Sequence, residues 1–270
     1  MIRFRNAARQ EVGLMLDWAA AEGWNPGLDD AAAFYAADPN GFVVACENDE
    51  PVAAISVVNH NESYAFLGLY IARPSHRGKG IGYALWQHAV EHAGNRTIGL
   101  DGVPEQQGNY AASGFRHAGS TMRFSGRVER EVSKDIRVAD QDSIAALIDR
   151  EAEASGAQKP DYLNAWFGET VNRKTLIDRG GFLTIRKCRE GAKIGPLVAA
   201  DARSALRLIR HAATVFGDTV IIDIPDRCRA LTQLCQELQL MPVFETARMY
   251  RSGRRAGTGE FYAVATLELG

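Results

Sequence analysis

Apolar positions along this chain keep two alternating rhythms. Residues 2–6 (Ile-Arg-Phe-Arg-Asn) alternate apolar and polar, the period of a half-buried strand. Over residues 9–22, Val12, Met15, Leu16 and Ala19 recur three and four apart, which predicts an amphipathic helix ended by Gly23-Trp24-Asn25-Pro26-Gly27. A second helix is expected over 29–37, with Asp30 as its cap and Asp38-Pro39-Asn40-Gly41 as its stop. Strands at 42–47 and 52–59 read as a hairpin joined by Asn48-Asp49-Glu50-Pro51, and 63–72 reads as a third strand. A helix at 80–93, a strand at 97–100, a helix at 105–113 and a strand at 120–124 complete one α/β unit by residue 125.

The plan then repeats. Ile136-Arg137-Val138 precedes a helix starting at Gln141, as the opening strand precedes the first helix. The run Val220 to Pro225 echoes Ile98 to Pro104, each with an aspartate near the strand end, Asp223 and Asp101. Met122-Arg123-Phe124-Ser125-Gly126 is echoed by Met249-Tyr250-Arg251-Ser252-Gly253. Two tandem copies are therefore expected, 1–128 and 135–270, each a domain of ordinary size.

Composition narrows the class. Hydrophobic residues make up 46% and charged residues 24%, with a formal net charge of -2, the balance of a water-soluble folded chain with no global attraction for nucleic acid. The longest apolar runs fall far short of the roughly 20 residues of a membrane helix. No leader-like apolar run follows Met1, so a cytoplasmic location is expected. Cys46, Cys188, Cys228 and Cys235 are scattered without metal-site spacing, and no metal is expected. His60, His76, His88, His92 and His117 have no metal spacing either and are expected at the surface.

The segment that carries chemistry is Tyr70-Ile71-Ala72-Arg73-Pro74-Ser75-His76-Arg77-Gly78-Lys79-Gly80-Ile81-Gly82, a strand that ends in a glycine-rich turn and opens into a helix. Amides without intrahelical partners and a positive dipole end suit a pyrophosphate there, and Arg77 and Lys79 add charge. The spacing excludes a P-loop, because Lys79 is followed by Gly80 and Pro74 stands four residues before Gly78. It also excludes a dinucleotide fingerprint, whose third glycine position is Tyr83.

What remains is RxxGxG, met by Arg77, Gly80 and Gly82, followed by YxxxGF at Tyr110-Ala111-Ala112-Ser113-Gly114-Phe115. In these motifs residues 1–125 resemble the GNAT acetyltransferase superfamily. The resemblance implies a mixed, mainly antiparallel sheet flanked by helices and an N-acetyltransferase that uses acetyl-CoA. It implies that Arg77, Gly78, Lys79, Gly80, Ile81 and Gly82 bind the pyrophosphate, that backbone groups of Tyr70, Ile71 and Ala72 bind the pantetheine arm and thioester, and that Tyr110 is the general acid.

The base is less defined. The position where the histone-modifying branch carries a glutamate holds Phe66, which leaves Asp101, or Glu62 with His60 through water, as candidates, and leaves open a non-catalytic acyl-CoA sensor. The resemblance implies that the loop between the first two helices lines the acceptor pocket, and here Trp24, Asn25, Asp29 and Asp30 offer an aromatic wall with carboxylates for the cationic amine of a small molecule or peptide. In the second copy Asp201-Ala202-Arg203 enters a helix without a glycine, so that cofactor loop is degenerate, and the chain resembles bacterial tandem GNAT proteins. A homodimer is compatible with this reading.

Overall fold

The computed structural model describes all 270 residues. The first half runs β1 (Ile2–Asn6), α1 (Arg9–Ala21), α2 (Asp30–Ala37), β2 (Phe42–Glu47), β3 (Glu50–Asn59), β4 (Tyr64–Ala72), α3 (Ile81–Val90), β5 (Thr97–Gly102), α4 (Gln107–Ala112) and β6 (Arg116–Arg127). The second runs β7 (Arg137–Val138), α5 (Gln141–Ser155), α6 (Pro160–Phe167), β8 (Arg173–Ile177), β9 (Gly181–Lys187), β10 (Ala192–Ala199), α7 (Ala202–Ala212), β11 (Thr219–Pro225), α8 (Arg229–Glu237), β12 (Met241–Arg251) and β13 (Phe261–Ala263). The fold is mixed α/β, and its strands form one mainly antiparallel sheet with only β4·β5 and β10·β11 parallel.

Helices cover both faces, which explains why β2 and β3 are nearly continuous apolar runs. Phe42, Val44 and Cys46 face α1 and α2, while Val43 and Ala45 face α3 and α4. Asn48 and Asp49, both at positive φ, turn β2 into β3 in two residues, tighter than the four-residue connection expected. Tyr162, Leu163 and Trp166 of α6 pack with Phe34 of α2 in the same core cluster, so the halves share apolar interior.

The halves also exchange strands. The sheet order is β1-β2-β3-β4-β5-β12-β6-β11-β10-β9-β8-β7, so β12 of the second half lies between β5 and β6 of the first. β6 in turn pairs with β11. The strands that echo each other in sequence thus change places. Each carries an arginine opposite the strand-end aspartate of the other half: Arg248 faces Asp101, and Arg123 faces Asp223.

Asp30 does not cap α2. It is buried, accepts a hydrogen bond from the Gly27 amide at 2.7 Å and pairs with Arg186 at 3.3 Å, because a carboxylate this deep needs a cation. His60 is likewise not at the surface. It is buried, with Nε2 2.8 Å from the Leu269 carbonyl and its ring stacked on Tyr64. Burial, aided by Lys159, drives its pKa down to about 3, so the fold holds it neutral. Because the unfolded chain takes up this proton near pH 6.5, stability is full above that value and is lost as the pH falls. Urea unfolding at pH 7.5, 6.5 and 5.5 is expected to show a His60 contribution of about 1.4 kcal/mol lost per unit below 6.5. The slope difference between wild type and His60→Gln isolates this term; identical slopes contradict it.

Candidate active site

The glycine loop turns sharply out of β4 into α3. After β4 a short turn at Pro74–His76 leads to Gly78 and Gly80 with φ of +72° and +77°, and Gly80 stands immediately before α3. Both angles are costly for a residue with a Cβ, and a Cβ at either position would project into open space in the cradle. At Gly82 a Cβ would stand 2.8 Å from the Tyr70 hydroxyl. The Arg77 guanidinium is tied by Nε to the Ala72 carbonyl at 2.9 Å and pairs with Glu22. A cavity of about 500 Å³ opens here, walled by the loop, by Tyr70, Ile71 and Ala72, and by Trp24 and Gln106. Lys79 is exposed and Ile81 packs on the core beneath α3, so the side chains of both lie outside the cavity wall.

Beyond the loop the sheet parts. β4 pairs with β5 only from Tyr64 to Leu67, and past Leu67 it keeps just its β3 partner. A bulge inserts one extra residue on β4 and puts Leu69 at φ +46°, backbone strain of the kind that collects at functional sites. A smaller, mostly apolar cavity of about 60 Å³ lies against this gap and shares Trp24, Tyr70, Val103 and Gln106 with the larger one.

Tyr110 lines the smaller cavity. Its ring stacks on Trp86 at 5.4 Å. Burial, and then the neighbouring Tyr70, raises its pKa above the usual phenol value, so its proton stays on at neutral pH. Asp101 also borders this cavity, but its carboxylate is bound at both oxygens by Arg248, at 2.8 and 2.7 Å. A carboxylate bound at both oxygens is a clamp between β5 and β12 and has no free edge for a proton, so Asp101 is not placed as the base. Glu62 is exposed and His60 faces Leu269, so neither borders these cavities.

Of the expected acceptor residues, only Trp24 lines the cavities. Its backbone carbonyl accepts from Arg123 and Lys193, at 3.1 and 2.8 Å. Asn25 turns away and exchanges two hydrogen bonds with the Glu190 backbone. Asp29 accepts from Thr170 Oγ1, from the Asn172 amide and from Asn172 Nδ2 at 2.7 to 3.0 Å. Both serve to dock the first half on the second. Sequence reading missed Arg123, Phe244, Thr246, Leu267 and Glu268, all on the wall of the smaller cavity. Strand exchange brings Arg123 on β6 and Phe244 and Thr246 on β12, the chain that follows β13 brings Leu267 and Glu268, and no local pattern signals either.

The second half has the same parting of strands, filled by its own chain. β10 pairs with β11 only from Ala192 to Ile194; beyond that, β13 adds to β10, and the Val264 amide donates to the Asp223 carbonyl at 3.0 Å. Asp201 caps α7 through the Ser204 amide at 2.7 Å, in place of a glycine loop. No group of three His, Cys, Asp or Glu side chains is placed to hold a metal, and no helix is long and apolar enough to cross a membrane.

Two family models match the chain, "Acetyltransferase (GNAT) family" over residues 10–115 and "Acetyltransferase (GNAT) domain" over 147–263. The chain belongs to the GNAT acetyltransferases, as a tandem protein, and is an acyltransferase. It is 33% identical over 273 aligned positions to the holothin acyltransferase of Pseudoalteromonas sp. (strain SANK 73390), covering 98% of this chain and 93% of that one. Its fold matches a Pyrococcus horikoshii protein provisionally named an acetyltransferase, with a TM-score of 0.84 and 19% identity over 100% of this chain and 96% of that one. It also matches a tandem GNAT protein from the clavulanic acid biosynthesis pathway, with a TM-score of 0.61 and 16% identity over 95% and 100%.

Removing the Arg248 charge strands a buried carboxylate. Arg248→Met is expected to destabilise the fold by about 3 kcal/mol, measured by urea unfolding, while Arg248→Met combined with Asp101→Leu recovers most of that loss. An undiminished loss in the double variant contradicts the clamp.

Proposed function

We propose that the chain transfers an acetyl or related acyl group from acetyl-CoA to a primary amine, by direct attack of the amine on the thioester. One observation carries this reading: in the first half the cavity at the glycine loop and the Tyr110 cavity at the parted strands adjoin across Trp24, Tyr70, Val103 and Gln106. The corresponding path in the second half is filled by β13. One acyl-CoA per chain follows.

The amides of residues 78–82 and the α3 dipole hold the pyrophosphate, with Arg77 released from Glu22 to join it. Arg77 Nε already engages the Ala72 carbonyl, so the free edge of Gly68 to Ile71 is what remains to align pantetheine as an added strand and to orient the thioester carbonyl. Tyr110, held protonated by burial, gives its proton to the departing thiolate. The acceptor approaches through the cavity that Trp24, Phe244 and Leu267 wall with apolar surface. The name of the 33% identical relative makes holothin the first acceptor to assay.

Two substitutions test this by thiol release from acetyl-CoA and by calorimetry. Tyr110→Phe keeps the ring, so acetyl-CoA affinity and melting temperature are expected to hold while turnover falls by about 10² or more. Wild-type turnover in that variant removes the acid role. Gly80→Asp sets a carboxylate and a strained φ in the cradle and is expected to weaken acetyl-CoA binding by at least about tenfold without unfolding the chain. Unchanged affinity would place the pyrophosphate elsewhere.

A further inference from the structure

Two of the three carboxylate or guanidinium groups on the smaller cavity are committed to partners. Asp101 is taken by Arg248, and Arg123 by both oxygens of Asp223, at 2.7 and 3.0 Å. The third is Glu268. It is only 4% exposed, yet no ion pair or hydrogen bond in the structure uses its carboxylate. Its oxygens are not among the fully enclosed unpaired atoms, and the residue lines the smaller cavity, so this carboxylate is open to the cavity and free of protein partners, the condition of a group that binds something.

The backbone around Glu268 is fixed. Leu269 donates its amide to Thr266 Oγ1 at 3.0 Å, its carbonyl meets His60, and Lys159 holds the Gly270 carbonyl. The Glu268 carbonyl lies so close to Gly68 that a Cβ there would stand 2.1 Å from it. Gly68 is the first β4 residue past the last β5 partner. Glu268 is therefore pinned at the mouth of the strand gap where the thioester is placed under the proposed function, and on the wall shared with Tyr110. The charged groups whose fields reach it are Arg123 on β6, Arg186 on β9 and Lys193 on β10, with the Tyr162 phenol on α6. Arg186 answers Asp30, and Lys193 donates to the Trp24 carbonyl.

We propose that Glu268 receives the acceptor: its carboxylate binds the acceptor ammonium and takes its proton, and the acceptor is a primary amine on a small apolar frame. The assignment deepens the proposed function and rests on it. An ammonium R–NH3⁺ yields one proton to Glu268, and the neutral nitrogen forms the C–N bond at the thioester carbon. Collapse of the tetrahedral adduct breaks the C–S bond as Tyr110 protonates the sulfur. The nitrogen's remaining extra proton restores the tyrosine, directly or through water, and Glu268 returns its own proton to solvent. The products are the amide, free CoA thiol and one proton. The apolar frame follows from the walls, where Trp24, Leu69, Phe244 and Leu267 face the carboxylate's cavity.

Benzylamine is the probe, titrated by calorimetry into full-length protein saturated with CoA, with benzyl alcohol as its uncharged counterpart. Benzylamine is expected to bind wild type and to lose about tenfold or more in affinity with Glu268→Gln, while benzyl alcohol responds little to the substitution. Glu268→Asp keeps the charge one methylene back and is expected to fall between the two; it carries the test if the Gln variant does not fold. No benzylamine binding to wild type, or equal binding to wild type and variant, overturns the assignment. A lowered melting temperature with unchanged amine affinity overturns it too, and leaves Glu268 as a counter-charge for Lys193 and Arg186. Acetyl-CoA affinity of wild type, measured on the same preparation before CoA is added, separates the two claims: its absence sinks the proposed function, and its presence with no amine effect sinks the role of Glu268 alone.

Discussion

Two buried carboxylate–guanidinium pairs hold this molecule in its arrangement. Asp101 with Arg248, and Asp223 with Arg123, sit at equivalent places in the two halves, each joining a strand-end aspartate to an arginine on the other half's exchanged strand. Removing any one of the four groups leaves an uncompensated charge in the interior, so the pairs penalise any register other than the observed one. Arg123 does more than pair. Its remaining nitrogen reaches the Trp24 carbonyl, which sets the wall of both cavities, and its guanidinium lies over Phe244.

Duplication followed by strand exchange accounts for the unequal fates of the two halves. The first keeps a gap between β4 and β5 that the rest of its chain cannot fill, since β12 enters on the far side of β5. In the second, the chain after β12 returns as β13 into the matching gap and then runs on to Gly68. The same segment thus closes one site and builds a wall of the other. A chain of two equal copies would have two such gaps open; in this one only the gap of the first half stays open.

What the sequence disclosed depended on how local the requirement was. The glycines at 78, 80 and 82 were readable because positive φ at Gly78 and Gly80 and the start of a helix fall within five residues. The α/β alternation and the repeat were readable for the same reason. Strand exchange was not, because β6 and β12 have the same period whichever half they pair with. Asn25 and Asp29 looked like pocket residues because a polar loop beside a tryptophan suits a ligand as well as it suits a docking surface; only the partners Glu190 and Asn172 distinguish them. Glu268 sits in Thr266-Leu267-Glu268-Leu269, which reads as the polar position of a half-exposed segment, and nothing in that pattern says the segment is buried against β4. His60 misled in the same way, since its partner lies 209 residues away.

The account comes down to one composite site per chain, built from the first half's glycine loop and strand gap and finished by residues that exchange brings from the second. A crystal structure of the intact protein with acetyl-CoA tests this most directly. It should show one molecule per chain, its pyrophosphate on the amides of residues 78–82, its pantetheine along the free edge of β4, and its thioester between Tyr110 and Glu268. Acetyl-CoA seated at Asp201 to Ala205 beside α7, or a second molecule displacing β13 from β10, would contradict it.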